Sequence, residues 1–127
     1  MEPSDEITQQ LETWLAAVRA EDLEAVQACY APDAVLLPTF SSALRHTPEE
    51  RREYFARFLG SRPRGRVVEQ NPRRFDGVAV NSGLYTFTVG EGRNEREIAA
   101  RFTFVYHRVG DRWLIAHHHS SVLPELP

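Results

Sequence analysis

The sequence predicts an α+β fold in which a curved antiparallel sheet wraps over helices from the N-terminal half. Three observations lead to this prediction. Apolar residues recur at helical spacing before residue 60, β-branched and aromatic residues dominate after residue 66, and tight turns separate the strand-like segments. Consecutive strands joined by short turns pair antiparallel, and helices that all come early can cover only one face of the sheet.

The bulk composition indicates an ordinary globular chain. Its 127 residues fit one domain, so we predict a single domain over residues 1–127. A hydrophobic fraction of 42% and a charged fraction of 26% are typical of soluble proteins. The net charge of -3 gives no general attraction to nucleic acid or to anionic membranes. An acidic N-terminus without an apolar segment, and no run long enough to span a bilayer, predict a cytoplasmic protein.

The first part of the chain predicts two helices and a short strand. The first helix covers residues 4–19, where apolar residues recur every three or four positions. Asp22 can cap a second short helix that carries Tyr30 on its apolar face. A buried strand over residues 34–37 then ends at Pro38. The apolar face of the first helix consists of Ile7, Leu11, Trp14, Leu15 and Val18.

A third helix begins at a capping box. Thr47 and Glu50 are spaced for reciprocal capping, and Pro48 stands at the first helical position. Gly60 is a typical end for this helix. We expect its aromatic residues on one face and its arginines largely on the opposite, solvated face. The aromatic face carries Tyr54, Phe55, Phe58 and Leu59, and the other carries Arg51, Arg52 and Arg57.

A basic stretch follows over residues 62–66, and two more arginines stand at 73–74. It has almost no interleaved aromatic residues and is interrupted by proline, whereas single-strand binding surfaces combine charge with stacking platforms. We therefore interpret it as a solvated loop and an edge strand, and we predict no nucleic-acid partner and no membrane partner.

The C-terminal half predicts long strands and a hairpin. Residues 78–89 form one strand, and residues 100–107 and 113–119 flank a tight turn at Gly110 and Asp111. With these two as turn residues, one face carries Arg101, Thr103, His118 and Ser120, and the other carries Phe102, Phe104, Tyr106, Trp113, Ile115, His117 and His119. A one-residue shift or a bulge exchanges these faces. Neither face is cleanly polar, so we expect a partner subunit to cover the face that the helices leave open.

The chain also resembles a known family. Residues 100–106 (ARFTFVY) and 110–121 (GDRWLIAHHHSS) are similar to the end of bacterial SnoaL-like proteins, and residues 54–59 and 81–87 fit the same group. These proteins are relatives of the association (hub) domain of calcium/calmodulin-dependent protein kinase II, in the nuclear transport factor 2-like superfamily. The resemblance implies a cone-shaped, cystatin-like α+β roll with a pocket at its open end, which dimerises through the sheet or builds larger rings.

The histidine run is the most distinctive polar cluster. His117 and His119 share one face of a strand and His118 points to the other. The spacing suits two metal ligands, but no nearby carboxylate completes a set, so we predict no metal and no cofactor. His118 and His119, with Tyr85, are the candidate acid–base residues.

Arg101 stands in the middle of an apolar strand, where an unpaired arginine is rarely buried. Two interpretations remain open. Arg101 either anchors a ligand carboxylate in the pocket, or forms an ion pair with Glu12 or Glu24 of the early helices.

We therefore expect a homo-oligomeric protein, a dimer or a larger ring, that binds a small organic ligand. Two alternatives stay open: a SnoaL-like enzyme of the isomerase, cyclase or hydratase type with a pocket histidine as acid–base, and a purely structural assembly module. The expected ligand contacts are Trp14, Tyr30, Tyr54, Phe58, Tyr85, Arg101, Phe102, Phe104, His117, His118 and His119.

Overall fold

The computed structural model describes residues 3–125 of the chain. Within that range the helices are α1 (Pro3–Arg19), α2 (Leu23–Ala28) and α3 (Pro48–Leu59). The strands are β1 (Tyr30–Leu37), β2 (Arg64–Arg74), β3 (Val78–Val89), β4 (Arg96–Val109) and β5 (Arg112–Val122). A short 3-10 turn, Gly92–Asn94, lies between β3 and β4.

The strands form one sheet in the order β1-β5-β4-β3-β2. Strands β2 to β5 pair antiparallel with their chain neighbours, as their short connections predict. Strand β1 pairs parallel with β5, from which α3 and three strands separate it in the chain. Bulges in β2 and β5 bend the sheet. The predicted α+β fold with a curved, mostly antiparallel sheet is confirmed.

Helix α1 packs against β2 and β3, on the face of the sheet that we call inner; the opposite face is the outer face. Its predicted apolar stripe is buried in the main core, which also takes in side chains of α2, α3 and all five strands. The stripe residues are Ile7, Leu11, Trp14, Leu15 and Val18, none more than 2% exposed.

The second helix is shorter than the sequence predicts. Asp22 caps it, accepting a hydrogen bond from the Ala25 backbone N–H, but it ends at Ala28 and Tyr30 begins β1. The Cys29 carbonyl accepts a hydrogen bond from the Ile115 N–H at 2.8 Å, which starts the parallel pairing with β5. The sequence placed Tyr30 on the helix because it follows the apolar residue Val26 by four positions. This helical spacing of apolar residues is a coincidence here, because α2 ends before Tyr30.

Helix α3 has the predicted capping box: the Thr47 side chain accepts from the Glu50 N–H, and Glu50 in turn caps the Thr47 backbone. The prediction for Arg51 was wrong, because its side chain is only 2% exposed. Its guanidinium donates hydrogen bonds to the carbonyls of Ala34 (2.8 Å) and Ala31 (3.0 Å) on β1. Arg51 therefore ties α3 to β1 at the edge of the sheet.

The predicted hairpin register was also wrong. Gly110 and Asp111 do form the turn, but an extra residue in β5, Ala116, creates a bulge opposite the Val105–Tyr106 step. Beyond the bulge Phe104 pairs with His118, Thr103 with His119 and Arg101 with Ser121. Every later side chain of β5 therefore changes face. His118 and Ser120 point inward, whereas His117 and His119 point outward with Arg101.

The basic stretch forms the start of β2, which is an edge of the sheet as predicted. Some of its charge is neutralised locally. Arg62 pairs with Glu91 at 2.7 Å. Arg64 pairs with Glu95 at 3.3 Å. Across the described part of the chain, no helix is long and apolar enough to cross a bilayer.

Candidate functional site

The residues that the sequence proposes as ligand contacts lie in three different places. The buried interior contains Trp14, Tyr30, Tyr85, Phe102, Phe104 and His118. Tyr54 and Phe58 lie between this interior and a cavity at one end of the sheet. The third group, Arg101, His117 and His119, is exposed on the outer face. The structure thus does not bring the proposed set together around one space.

A chain of hydrogen bonds runs through the interior. The indole N–H of Trp14 donates to the Tyr30 hydroxyl at 3.1 Å, and this hydroxyl lies 2.8 Å from Nδ1 of His118. On the other side of the ring, Nε2 lies 3.2 Å from the Tyr85 hydroxyl, which donates to Ser120 at 2.7 Å. All of these groups are neutral donors and acceptors, so the chain satisfies buried polar atoms without burying a charge.

The direction of this chain determines the tautomer of His118. The Tyr85 hydroxyl donates its single proton to Ser120, so its oxygen can only accept from Nε2 of His118. Nδ1 is then the acceptor for the Tyr30 hydroxyl, whose oxygen accepts from the Trp14 indole N–H. The neutral imidazole then carries its proton on Nε2, which donates to the Tyr85 oxygen. His118 therefore has no free nitrogen for a ligand.

Burial lowers the pKa of His118 to about 3, with a smaller contribution from His119. Its ring is stacked on Phe104 at a centroid distance of 3.9 Å and meets the edge of Trp14 at 5.2 Å. Burial also raises the pKa of Tyr85 and Tyr30 above their ordinary values. A neutral imidazole of this kind does not accept a proton near neutral pH. His118 is therefore a poor acid–base residue in this conformation.

The interior is nearly full. The void beside Trp14, Tyr85, His118 and Ser120 has a volume of about 10 Å³. A water molecule needs about this much space, so a ligand does not fit without movement of side chains. That the interior aromatic residues contact a ligand therefore stays a prediction.

A larger space lies at the end of the sheet where β3 leads into β4. We call it the mouth cavity; its volume is about 330 Å³. It is lined by Phe40, Ser41, Tyr54, Arg57, Phe58, Ser61, Val89, Arg96 and Ile98. Sequence reasoning selected only Tyr54 and Phe58 of this set. The alternation of side chains along β4 could have identified two more lining residues. Arg96 and Ile98 lie on the same side of the strand as Ala100 and Phe102, which point inward.

Arg101 lies on the outer face, opposite Leu84 of β3 and Ser121 of β5. It therefore does not point toward the interior or the mouth cavity. The alternative partner Glu24 pairs with Arg52 instead. Among the described residues Arg101 forms no ion pair.

His117 and His119 also lie on the outer face, on either side of the inward-pointing His118. No group of three or more His, Cys, Asp or Glu side chains is arranged to hold a metal ion in the range that the structure covers.

Comparison with known proteins gives consistent matches over nearly the whole chain. The family model described as the calcium/calmodulin dependent protein kinase II association domain matches residues 3–124. A solved structure from Xanthomonas campestris that carries the same domain description is 39% identical, with a TM-score of 0.90 over 95% of this chain and 88% of that chain. No curated protein matches.

More distant structures share the fold. A Thiobacillus denitrificans protein with the same domain description is 22% identical, with a TM-score of 0.76 over 91% of this chain and 93% of that one. A Streptomyces avermitilis protein described as a dehydratase of the nuclear transport factor 2-like family is 13% identical. Its TM-score is 0.85, over 95% of this chain and 96% of that one. At these identities the likeness concerns the fold alone.

Proposed function

Because the chain belongs to the calcium/calmodulin-dependent protein kinase II association-domain family, we propose that it assembles with copies of itself and binds a small organic molecule in the mouth cavity. One observation supports the ligand site in particular. The interior is filled by aromatic side chains and a satisfied hydrogen-bond chain, whereas about 330 Å³ remains open at the mouth. Pockets of about 300–1,000 Å³ are the usual size for small ligands.

The walls of the mouth cavity are suited to an organic ligand. Phe40 packs on Phe58 at a centroid distance of 5.8 Å, and Phe58 also meets the edge of Phe87. Val89 and Ile98 extend this apolar surface along the ends of β3 and β4. Binding pockets commonly combine such walls with a few polar groups that orient the ligand.

Self-assembly is supported by the outer face of the sheet. This face carries apolar side chains that the helices do not cover, among them Val80, Leu84, Val105 and Leu114. A sheet face of mixed apolar and polar character with no covering layer is typical of an interface. We propose a homodimer through this face, with Arg101, His117 and His119 among its polar contacts.

An enzymatic function has weaker support. The protein described as a dehydratase shares the fold. His118 and His119, with Tyr85, were the acid–base candidates that the sequence suggested, and His119 is exposed on the outer face. Both nitrogens of His118 are occupied by tyrosine hydroxyls, and the adjacent void is about 10 Å³. His118 is more consistent with a structural role, and a catalytic role would need a different conformation of the interior.

Native mass spectrometry of the protein as purified tests the proposed function. We expect a dimer that carries a discrete additional mass. An Ile98→Trp variant should lose the additional mass because the larger ring fills the mouth cavity. A Val68→Trp variant, at an exposed position in the β2 bulge, should keep it. A ligand-free assembly larger than a dimer would contradict the proposal and favour a purely structural module.

A further inference from the structure

Two histidines lie close together on the outer face of the sheet. His117 and His119 alternate with the inward-pointing His118 along β5, and both side chains are exposed. Strand β5 lies between β1 and β4, so each of the two histidines has a neighbour on both sides. These neighbours are uncharged and half-buried: Val35 and Val105 beside His117, and Leu37 and Thr103 beside His119. We call the two histidines with these neighbours the histidine patch.

The surroundings of the histidine patch give the two imidazoles no acidic partner. The titratable and charged groups that β1, β4, β5 and the adjoining loops present on this side are Asp33, His46, Glu97, Arg101, His107, Arg112 and Glu125. Across the described residues neither His117 nor His119 forms an ion pair with a carboxylate. A proton taken up by either imidazole is therefore not balanced by a neighbouring negative charge.

Arg101 adds a positive charge to the same face. It pairs across the sheet with Ser121, whereas Thr103 pairs with His119, so Arg101 is a diagonal neighbour of His119. Diagonal neighbours in a sheet lie about 7–8 Å apart. Arg101 has no ion pair in the part of the chain that the structure describes, and an arginine stays charged at any physiological pH. A proton on His119 would thus be added beside an existing cation.

A two-fold contact through the outer face would bury the histidine patch against a second copy of the same face. Such an interface is isologous, because the same surface of both copies takes part. The histidine patch contains no carboxylate, so the second copy does not supply one from the matching position. A neutral imidazole can lose its water at moderate cost, whereas an unpaired imidazolium in the same place is strongly unfavourable.

From this arrangement we propose that the contact between copies through the outer face is pH-dependent. It forms while His117 and His119 are neutral and is lost when they take up protons. Separated chains take up these protons freely and assembled chains do not, so a fall in pH favours separation. An ordinary imidazole takes up its proton near pH 6.5, which places the transition at mildly acidic pH. This inference rests on the proposed function, because it describes the regulation of the same interface.

Sedimentation equilibrium of the unchanged protein at about pH 7.5 and about pH 5.5, at one ionic strength, tests the inference. If one symmetry-related pair of imidazoles has to be neutral in the dimer, the dissociation constant should rise about 100-fold between these two conditions. The rise should be larger if both histidines contribute. Near-UV circular dichroism at the lower pH should still show the folded spectrum, because the separated chains keep their core.

A double variant identifies the residues that carry the effect. His117→Gln combined with His119→Gln keeps polar side chains that take up no proton, so its dissociation constant should change about threefold or less between the two conditions. His46→Gln is the matched control, since His46 is exposed outside β5 and its Nδ1 lies 3.9 Å from a carboxylate oxygen of Glu50. This control should keep the full pH dependence.

Two results would overturn the inference and leave the proposed self-assembly intact. One is a dimer with the same dissociation constant at both pH values, and the other is a double variant with an unchanged pH dependence. Loss of the folded spectrum together with the dimer would also overturn the inference, because unfolding would then explain the dissociation. A protein that is already monomeric at the higher pH would reject the interface itself, and the proposed self-assembly with it.

Discussion

At the scale of single residues, His118 and Arg51 show how this fold accommodates polar groups in its core. His118 is kept neutral by burial and is hydrogen-bonded on both sides by tyrosines. Arg51 is buried with its guanidinium on backbone carbonyls of β1. Both residue types commonly act at functional sites, so sequence reasoning tends to assign them to binding or to the surface. In this structure both instead hold elements together.

The burial of His118 predicts a pH dependence of stability. Its pKa is about 3 in the folded protein and near 6.5 when exposed. The unfolded chain therefore binds more protons between these values, so stability is lost as the pH falls below about 6.5. At about pH 4.5 the loss from this group is about 2–3 kcal/mol relative to neutral pH.

Urea unfolding at neutral pH and at about pH 4.5 measures this loss. The free energy of unfolding should differ less between the two pH values in a His118→Gln variant than in the unchanged protein, by about 2–3 kcal/mol. The glutamine amide retains a donor and an acceptor. A His46→Gln variant is the control, because His46 is exposed. An equal pH dependence in all three proteins would mean that His118 is not the buried neutral group described above.

At the scale of elements, one-residue bulges determine which side chains reach the interior. In β5 the extra Ala116 turns His118 and Ser120 inward. In β2 the extra Val68 leaves Gly83 of β3 facing the backbone of Glu69 and Gln70. Bulges of this kind depend on the pairing between strands, which no short stretch of sequence encodes.

The bulge in β2 predicts a strict requirement for glycine at position 83. A Cβ atom at Gly83 would overlap the carbonyl oxygen of Glu69, and neither backbone can move without breaking the pairing of β2 and β3. We expect Gly83→Ala to lower the free energy of unfolding by about 2–4 kcal/mol. Ser82→Ala, at the adjacent outward position, should change it by about 0.5 kcal/mol or less. Chemical denaturation measures both, and a similar stability of the two variants would contradict the close contact.

At the scale of the whole molecule, the helices cover only the inner face of the sheet. On the outer face, neighbouring strands place apolar and polar side chains next to each other. In one such row Val80 of β3 lies beside Val105 of β4, Val105 lies beside His117 of β5, and His117 lies beside Val35 of the edge strand β1. The residues that the sequence placed in a pocket, Arg101, His117 and His119, lie on this outer face. Their role is then more consistent with contact between subunits than with contact to a ligand.

The proposed dimer predicts the effect of a charge at the centre of the outer face. Val105→Asp would place a carboxylate in the middle of the interface, where an unpaired buried charge costs several kcal/mol. We expect this variant to sediment as a monomer, whereas Val68→Asp at the exposed sheet edge should remain a dimer. If the unchanged protein were itself monomeric, or if Val105→Asp were still dimeric, the interface would have to lie elsewhere.

The sequence by itself determined the local features of this protein. The buried stripe of α1, the cap of α3, the strand over residues 78–89 and the turn at Gly110 all follow from contacts between residues close in the chain. Such short-range signals are sufficient to identify the α+β fold. They also selected Tyr54 and Phe58, two of the side chains that line the mouth cavity.

Only the tertiary structure decided which face each side chain occupies and where free space remains. The bulge at Ala116 reversed the faces of the histidines, and the burial of Arg51 depends on carbonyls of β1 that lie 17 residues or more away in the chain. The mouth cavity is formed by the loop after β1, the end of α3 and the junction of β3 and β4. A cavity is the space that long-range packing leaves unfilled, so it has no pattern of its own in the sequence.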